Sequence, residues 1–131
     1  MNRVLILGKD GMLGTMVSRY LNSLKEYEIY LTSRRDEDID DNVRKFDVSI
    51  DSLEGLVDDI NPEFLINCIG VIKPEIKEDN IESIEKAIDI NTYFPLNISQ
   101  LAESKSFKYI QIGTDCVFSG EVGGYSEDSF Q

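Results

Sequence analysis

The sequence predicts an α/β fold, a doubly wound parallel sheet of at least five strands in three layers. Three observations carry this expectation. Short apolar runs alternate with stretches of helical periodicity, and that βαβαβ order calls for a parallel sheet with right-handed crossovers. The run Phe64-Leu65-Ile66-Asn67-Cys68-Ile69-Gly70 is almost wholly apolar, as a central strand covered on both faces must be. Finally, Val4-Leu5-Ile6-Leu7 passes at once into Gly8-Lys9-Asp10-Gly11-Met12-Leu13-Gly14 and then into a helical pattern, which reads as strand, glycine turn, helix.

Taken in order, the first strand ends where Gly8 lets the chain turn tightly. Gly11 lets backbone approach a bound group, and Gly14 allows the helix to pack closely on the strand. The unpaired N–H groups and positive dipole end of that helix suit an anion, most naturally a pyrophosphate. The spacing is G-x-x-G-x-x-G. Over residues 11–24, Met12, Leu13, Met16, Val17, Tyr20, Leu21 and Leu24 recur at helical spacing, so one face is expected to pack on the sheet. Residues 28–32 form a second strand, ending in Ser33-Arg34-Arg35, and the acidic run over 36–41 reads as a solvated loop. At the end of this strand a carboxylate would take the adenosine ribose hydroxyls, whereas cations and hydroxyls suit a 2′-phosphate. Ser33 and Arg34 therefore favour NADP(H), while Asp36 stands near enough to keep NAD(H) open. The alternative is that the arginines merely balance the acidic loop.

Residues 43–48 predict a third strand running into a loop, and residues 50–60 a helix stopped by Asn61-Pro62. The fourth strand is the apolar run over 64–70. Residues 81–104 predict a long helix with Pro95 inside it; the proline lacks an N–H and crowds the carbonyl of Asn91, so a bend is expected there. Residues 107–112 are the fifth strand, delivering Gly113-Thr114-Asp115-Cys116 to its end, and residues 120–131 read as a surface loop. Ligands of such sheets lie beyond the C-terminal strand ends. Gly8 to Gly14, Ser33 with Arg34, Asp47 with Val48, Cys68 to Gly70, and Gly113 with Thr114 all fall there.

Composition narrows the chemistry. A chain of 131 residues is one ordinary domain with room for a core. Its net charge of −12 repels nucleic acid and anionic membrane surfaces. The absence of histidine removes Ser-His-Asp and Cys-His catalysis and leaves no imidazole for a metal, so no metal site is expected. Cys68 and Cys116 lie far apart beside apolar runs and read as reduced, buried thiols of a cytoplasmic protein rather than a disulfide. The first strand begins by Arg3, leaving no signal peptide, and no apolar run approaches the roughly 20 residues of a membrane span.

The residues Gly8-Lys9-Asp10-Gly11-Met12-Leu13-Gly14, Asp47-Val48, Asn67-Cys68-Ile69-Gly70, Asn91 with Pro95 to Ala102, and Gly113-Thr114-Asp115-Cys116-Val117-Phe118-Ser119-Gly120 resemble the extended short-chain dehydrogenase/reductase superfamily. Within it they resemble the dTDP-4-dehydrorhamnose reductase (sugar-nucleotide-binding) group. The Met-Leu in the glycine motif and the Thr-Asp-x-Val-Phe-x-Gly run are the specific parts. The resemblance implies a Rossmann-type fold that binds NAD(P)H, NADP(H) by preference, and a reductase acting on a keto group of a nucleotide-activated hexose in polysaccharide biosynthesis. It also allows a homodimer. By this analogy Gly8, Gly11, Met12 and Leu13 meet the pyrophosphate, with Asp10 and Gly14 completing the loop. Asp47 and Val48 flank the adenine, Cys68, Ile69 and Gly70 line the adenosine ribose, and Asn91 and Gly113 join the cofactor set. Thr114, Asp115, Val117 and Phe118 face the sugar.

A reductase of this kind uses a tyrosine to protonate the carbonyl oxygen, a lysine to lower that tyrosine's pKa, and a hydroxyl to orient the oxygen. Thr114 matches the hydroxyl. No Tyr-x-x-x-Lys pair occurs in these residues, and Tyr125 lies in a glycine-rich loop that is not expected to fix its geometry. Residues 1–131 therefore read as the N-terminal NAD(P)-binding portion of such an enzyme, stopping short of the catalytic pair and the substrate lobe and inactive alone. Cys116 stands where the family more often has an aromatic residue. Two alternatives are a non-catalytic NADP(H)-binding regulatory or assembly module of the same fold and a flavodoxin-like domain, the latter disfavoured by the few hydroxyls between Gly8 and Gly14.

Overall fold

The computed structural model describes residues 1–130, the side chain of Asp115 excepted. Five strands, β1 (Asn2–Leu7), β2 (Tyr27–Ser33), β3 (Val43–Lys45), β4 (Phe64–Asn67) and β5 (Lys108–Gln111), form one sheet in the order β3-β2-β1-β4-β5. Every neighbouring pair is parallel. Leu7 lies opposite Asn67, and Asn67 opposite Gln111, so the C-terminal ends of β1, β4 and β5 come level along one edge.

Alternation along β1 divides the core. Val4 and Ile6 face one side, where they pack with Ile29 and Ile66 against Val17 and Leu21 of α1 (Met12–Leu24). Leu5 and Leu7 face the other, packing with Leu65 under α2 (Leu53–Ile60) and α4 (Phe94–Lys105) through Leu56, Val57, Ile60, Phe94, Ile98 and Ala102. The three layers expected from the sequence are present. No helix among the described residues is long and apolar enough to cross a membrane.

Four local expectations change. The apolar stripe of α1 does not all pack on the sheet: Met12, Met16 and Tyr20 are 87%, 60% and 64% exposed. Its buried residues are Gly14 and Ser18, because the helix is seated on its small residues at a distance no larger side chain permits. The second helix starts at Leu53 rather than near Ile50, since residues 47–51 form a turn in which the Asp47 carboxylate accepts from the Ser49 N–H (2.8 Å) and the Asp51 carboxylate from the Asp47 N–H (2.7 Å). Ser52 then caps α2 by accepting from the Gly55 N–H, and Asn61 ends it in a left-handed conformation. The acidic run contains one 3₁₀ turn, Asp36–Asp38.

The long helix over 81–104 is three pieces. The first, α3 (Ile81–Ile88), passes through a single π-helical stretch, Asp89–Tyr93, into α4. Pro95 cannot donate to the carbonyl of Asn91, and the Phe94 N–H reaches back to the Asp89 carbonyl, so the turn there is widened into a π-helical one.

Candidate functional site

Gly8 leaves β1 with φ of +85°, a region that favours glycine. Its N–H donates to the hydroxyl of Thr32 (3.0 Å), and the Lys9 N–H to the Thr32 carbonyl (3.1 Å), so the buried end of β2 holds the turn. The Thr15 hydroxyl donates to the Lys9 carbonyl (2.8 Å) from the other side. Gly11 is the N-cap of α1 and supplies no side-chain acceptor, which leaves the N–H groups of the first turn free of a side-chain cap. A Cβ on Gly11 would have only the Gly8 carbonyl oxygen within reach, at 3.7 Å, whereas one on Gly14 would lie 2.0 Å from that same oxygen.

At the end of β2 the Ser33 hydroxyl lies 2.7 Å from one oxygen of Asp10 and 3.2 Å from Asp38, and it accepts from the Arg35 N–H (3.0 Å). The ammonium of Lys9 bridges Asp10 (2.9 Å) and Asp38 (3.0 Å). Burial pushes the Asp10 carboxyl up, but donation by Ser33 and Lys9 outweighs it and holds the group below the usual carboxylate range. The Asp47 carboxyl is held low as well, first by the Ser49 N–H, against burial, and then by the charges of Arg34 and Lys86.

At the end of β4, Asn67 is fully buried. It donates to the Gln111 side chain (2.9 Å) and accepts from the Ile69 N–H (3.0 Å), shaping the turn over Cys68, Ile69 and Gly70. Cys68 keeps a free thiol, whose pKa burial raises. Asn91 projects from the π-helical stretch and clamps the backbone of Val71, accepting from its N–H and donating to its carbonyl, both at 2.8 Å.

These strand ends enclose a cleft of about 270 Å³. Gly8, Asp10 and Gly11 line it from the glycine turn, Ser33 and Arg34 from β2, Asp47 and Val48 from the loop after β3, and Cys68, Ile69 and Gly70 from the end of β4. Met12, Leu13, Gly14, Asn91, Gly113, Thr114, Val117 and Phe118 are not among its lining residues. Gly14 and Asn91 stand behind the wall, one seating the helix and the other tying down Val71. Thr114 is exposed beyond β5, its hydroxyl accepting from the Cys116 N–H (3.1 Å). Asp115's side chain lies outside the described residues.

One expectation about this outer loop is corrected. Tyr125 is held: its ring stacks on Phe118 with centroids 4.7 Å apart and planes 7° from parallel, and its hydroxyl accepts from the Val122 N–H and lies 3.1 Å from the Ser119 hydroxyl. Donation by Ser119 and then Val122 lowers its pKa. The glycines Gly120, Gly123 and Gly124, all with positive φ, curl the loop tightly enough for this.

Thr32, Asn67, Lys9 and Lys86 were not among the residues expected at the site. Polar side chains at two inward positions of apolar strands were the signal for Thr32 and Asn67. Lys9 lies within the glycine motif, but its ion pairs with Asp10 and Asp38 depend on the fold, and Lys86 reaches the site only through folding.

A glycine turn into an uncapped helix, beside a cleft between the sheet's β2 and β4 sides where the crossovers diverge, defines a Rossmann-type fold. The chain belongs to the RmlD substrate binding domain family, which it matches over residues 1–130. Among proteins it resembles, the "probable low-salt glycan biosynthesis reductase Agl14" of Haloferax volcanii is 23% identical over 124 residues, 94% of this chain and 40% of that protein. A hypothetical dTDP-4-dehydrorhamnose reductase of Sulfolobus tokodaii superposes with a TM-score of 0.77 at 28% identity, over 98% of this chain and 45% of that one. The dTDP-4-dehydrorhamnose reductase of Bacillus anthracis strain Ames, solved in complex with NADP, gives 0.68 at 27% identity, over 92% and 39%. The chain thus spans less than half the length of each.

Proposed function

We propose that these residues are the cofactor-binding part of an NAD(P)H-dependent reductase acting on a keto group of a nucleotide-activated sugar, of the dTDP-4-dehydrorhamnose reductase kind. The observation that carries this reading is the uncapped N-terminus of α1 opening on a glycine-lined cleft at the switch between β1 and β4. Gly11 lines the cleft and a Cβ there would have only the Gly8 carbonyl oxygen within reach, at 3.7 Å, and this open space beside the helix N-terminus supports a bound pyrophosphate. The NADP complex of the Bacillus anthracis relative supports it. In this reading Gly8, Gly11, Met12 and Leu13 hold the pyrophosphate, Asp47 and Val48 flank the adenine, and Cys68, Ile69 and Gly70 meet the adenosine ribose. The bound nicotinamide supplies hydride. Thr114 orients the carbonyl oxygen by donating its hydroxyl proton, and Asp115, Val117 and Phe118 border the sugar. The second reading, a non-catalytic dinucleotide-binding module of the same fold, is separated from the first by the presence or absence of a Tyr-x-x-x-Lys pair in the parent reading frame.

The cofactor carries a 2′-phosphate by preference in this reading, since Arg34 lines the cleft at the end of β2. Arg34→Asp should weaken NADPH by about 1.5–3 kcal/mol, the worth of a charge-assisted hydrogen bond, with a much smaller effect on NADH. Calorimetric titration checks this, and equal losses for the two cofactors would contradict it.

A further inference from the structure

Arg34 does not stand alone at the adenosine end of the cleft. Asp10 lines the same wall, beside Ser33. Ser33 has one proton, and its shortest contact, 2.7 Å, is to Asp10; its oxygen already accepts from the Arg35 N–H. The hydroxyl that a sequence reading assigns to a 2′-phosphate is therefore committed. A phosphate arriving here has to draw that proton away from a carboxylate and then sit beside the carboxylate's charge. A ribose diol meets the opposite situation. A carboxylate offers about four lone-pair sites and no proton. Ser33 and Lys9 occupy one on each oxygen of Asp10, leaving acceptor capacity on both. The salt bridges from Lys9 to Asp10 and Asp38 fix the carboxylate in place, tying the glycine turn to the loop after β2.

Resting on the dinucleotide reading above, we infer that Asp10 is a cofactor-specificity residue. Its carboxylate accepts from the hydroxyls of the adenosine ribose and opposes the 2′-phosphate that Arg34 attracts. The two residues set the NADPH-to-NADH affinity ratio in opposite senses. The specificity carboxylate has moved from the end of the second strand, where the fold usually places it, into the glycine turn.

The test is titration of NADPH and of NADH into the wild-type chain, Asp10→Asn and Asp10→Ser, each first shown to be folded by its thermal melt. Asp10→Asn keeps the shape and removes the charge. It should raise the NADPH-to-NADH affinity ratio about tenfold or more, the loss of one charge-assisted hydrogen bond on one side and of a repulsion on the other. Asp10→Ser also removes the charge, with a smaller side chain, and should move the ratio in the same sense. Should Asp10→Asn fail to fold, Asp10→Ser still decides. A ratio unchanged or lowered in the folded variants would overturn the inference while leaving the dinucleotide site intact. A folded wild-type chain that bound neither cofactor would overturn the dinucleotide reading itself, and the inference with it.

Discussion

Gly14→Val is expected to destabilise this protein severely, whereas Gly11→Val, three residues earlier in the same turn, should leave it folded. The geometry behind the difference is specific. A Cβ at Gly14 would lie 2.0 Å from the Gly8 carbonyl oxygen, 2.8 Å from its carbon and 3.1 Å from the Cα of Lys9. All three are backbone atoms, so no rotamer change relieves the contact. The helix must lift from β1, and Val17 and Leu21 would lose their packing on Val4, Ile6, Ile29 and Ile66. Overpacking that separates two core elements belongs to the class of substitutions costing more than about 4 kcal/mol, against a total stability of about 5–15 kcal/mol for an ordinary domain. At Gly11 the nearest atom stands 3.7 Å away and φ is −75°, so a branched side chain meets neither a clash nor a forbidden conformation. Its cost is confined to a poorer N-cap, about 1 kcal/mol or less. Thermal melts of the two variants check this; comparable melting temperatures would contradict the account of how α1 is seated.

The second large effect concerns catalysis. Residues 1–131 alone should not turn over a 4-keto sugar nucleotide. Thr114 has a hydroxyl to orient a carbonyl oxygen, but among the six tyrosines none has a lysine four residues on. A positioned general acid contributes about 10²–10⁴ in rate, and sugar positioning from a further lobe adds to that. Tyr125 is the nearest substitute and is better ordered than its sequence suggests, yet its hydroxyl is engaged with Ser119 and Val122 inside its own loop. The assay is loss of NADPH absorbance, for this chain and for a fusion that carries it ahead of the Tyr-x-x-x-Lys portion of the Sulfolobus tokodaii relative. Activity in the fusion and none in the chain is expected. Equal activity in both would place the acid within these residues.

The strand order and the position of the cleft were legible because they rest on long-range rules with local signatures. Apolar β4 and the glycine turn after β1 declare themselves in sequence, and parallel crossovers leave little freedom beyond that. What sequence could not show was rotation and commitment. Periodicity identifies that α1 has an apolar stripe, but the contact of Gly14 with Gly8 decides which side faces the sheet, and it turns Met12, Met16 and Tyr20 outward. Pro95 announces a disturbance near Asn91, yet its form, a widened turn in which the Phe94 N–H finds Asp89 and the Asn91 side chain fastens the exposed turn to Val71, is set by the fold. Ser33 carries the hydroxyl that a phosphate would want. That its proton goes to Asp10, 23 residues away, is a fact of tertiary structure alone.

The most direct measurement of the central claim is calorimetric titration of NADPH into the folded 131-residue chain, with Gly11→Val alongside. Saturable binding at one site per chain, lost in Gly11→Val while its melt stays near that of the wild type, is the predicted result. A folded wild-type chain that takes up no dinucleotide, or a Gly11→Val variant that binds it as well as the wild type, would contradict the assignment of the cleft.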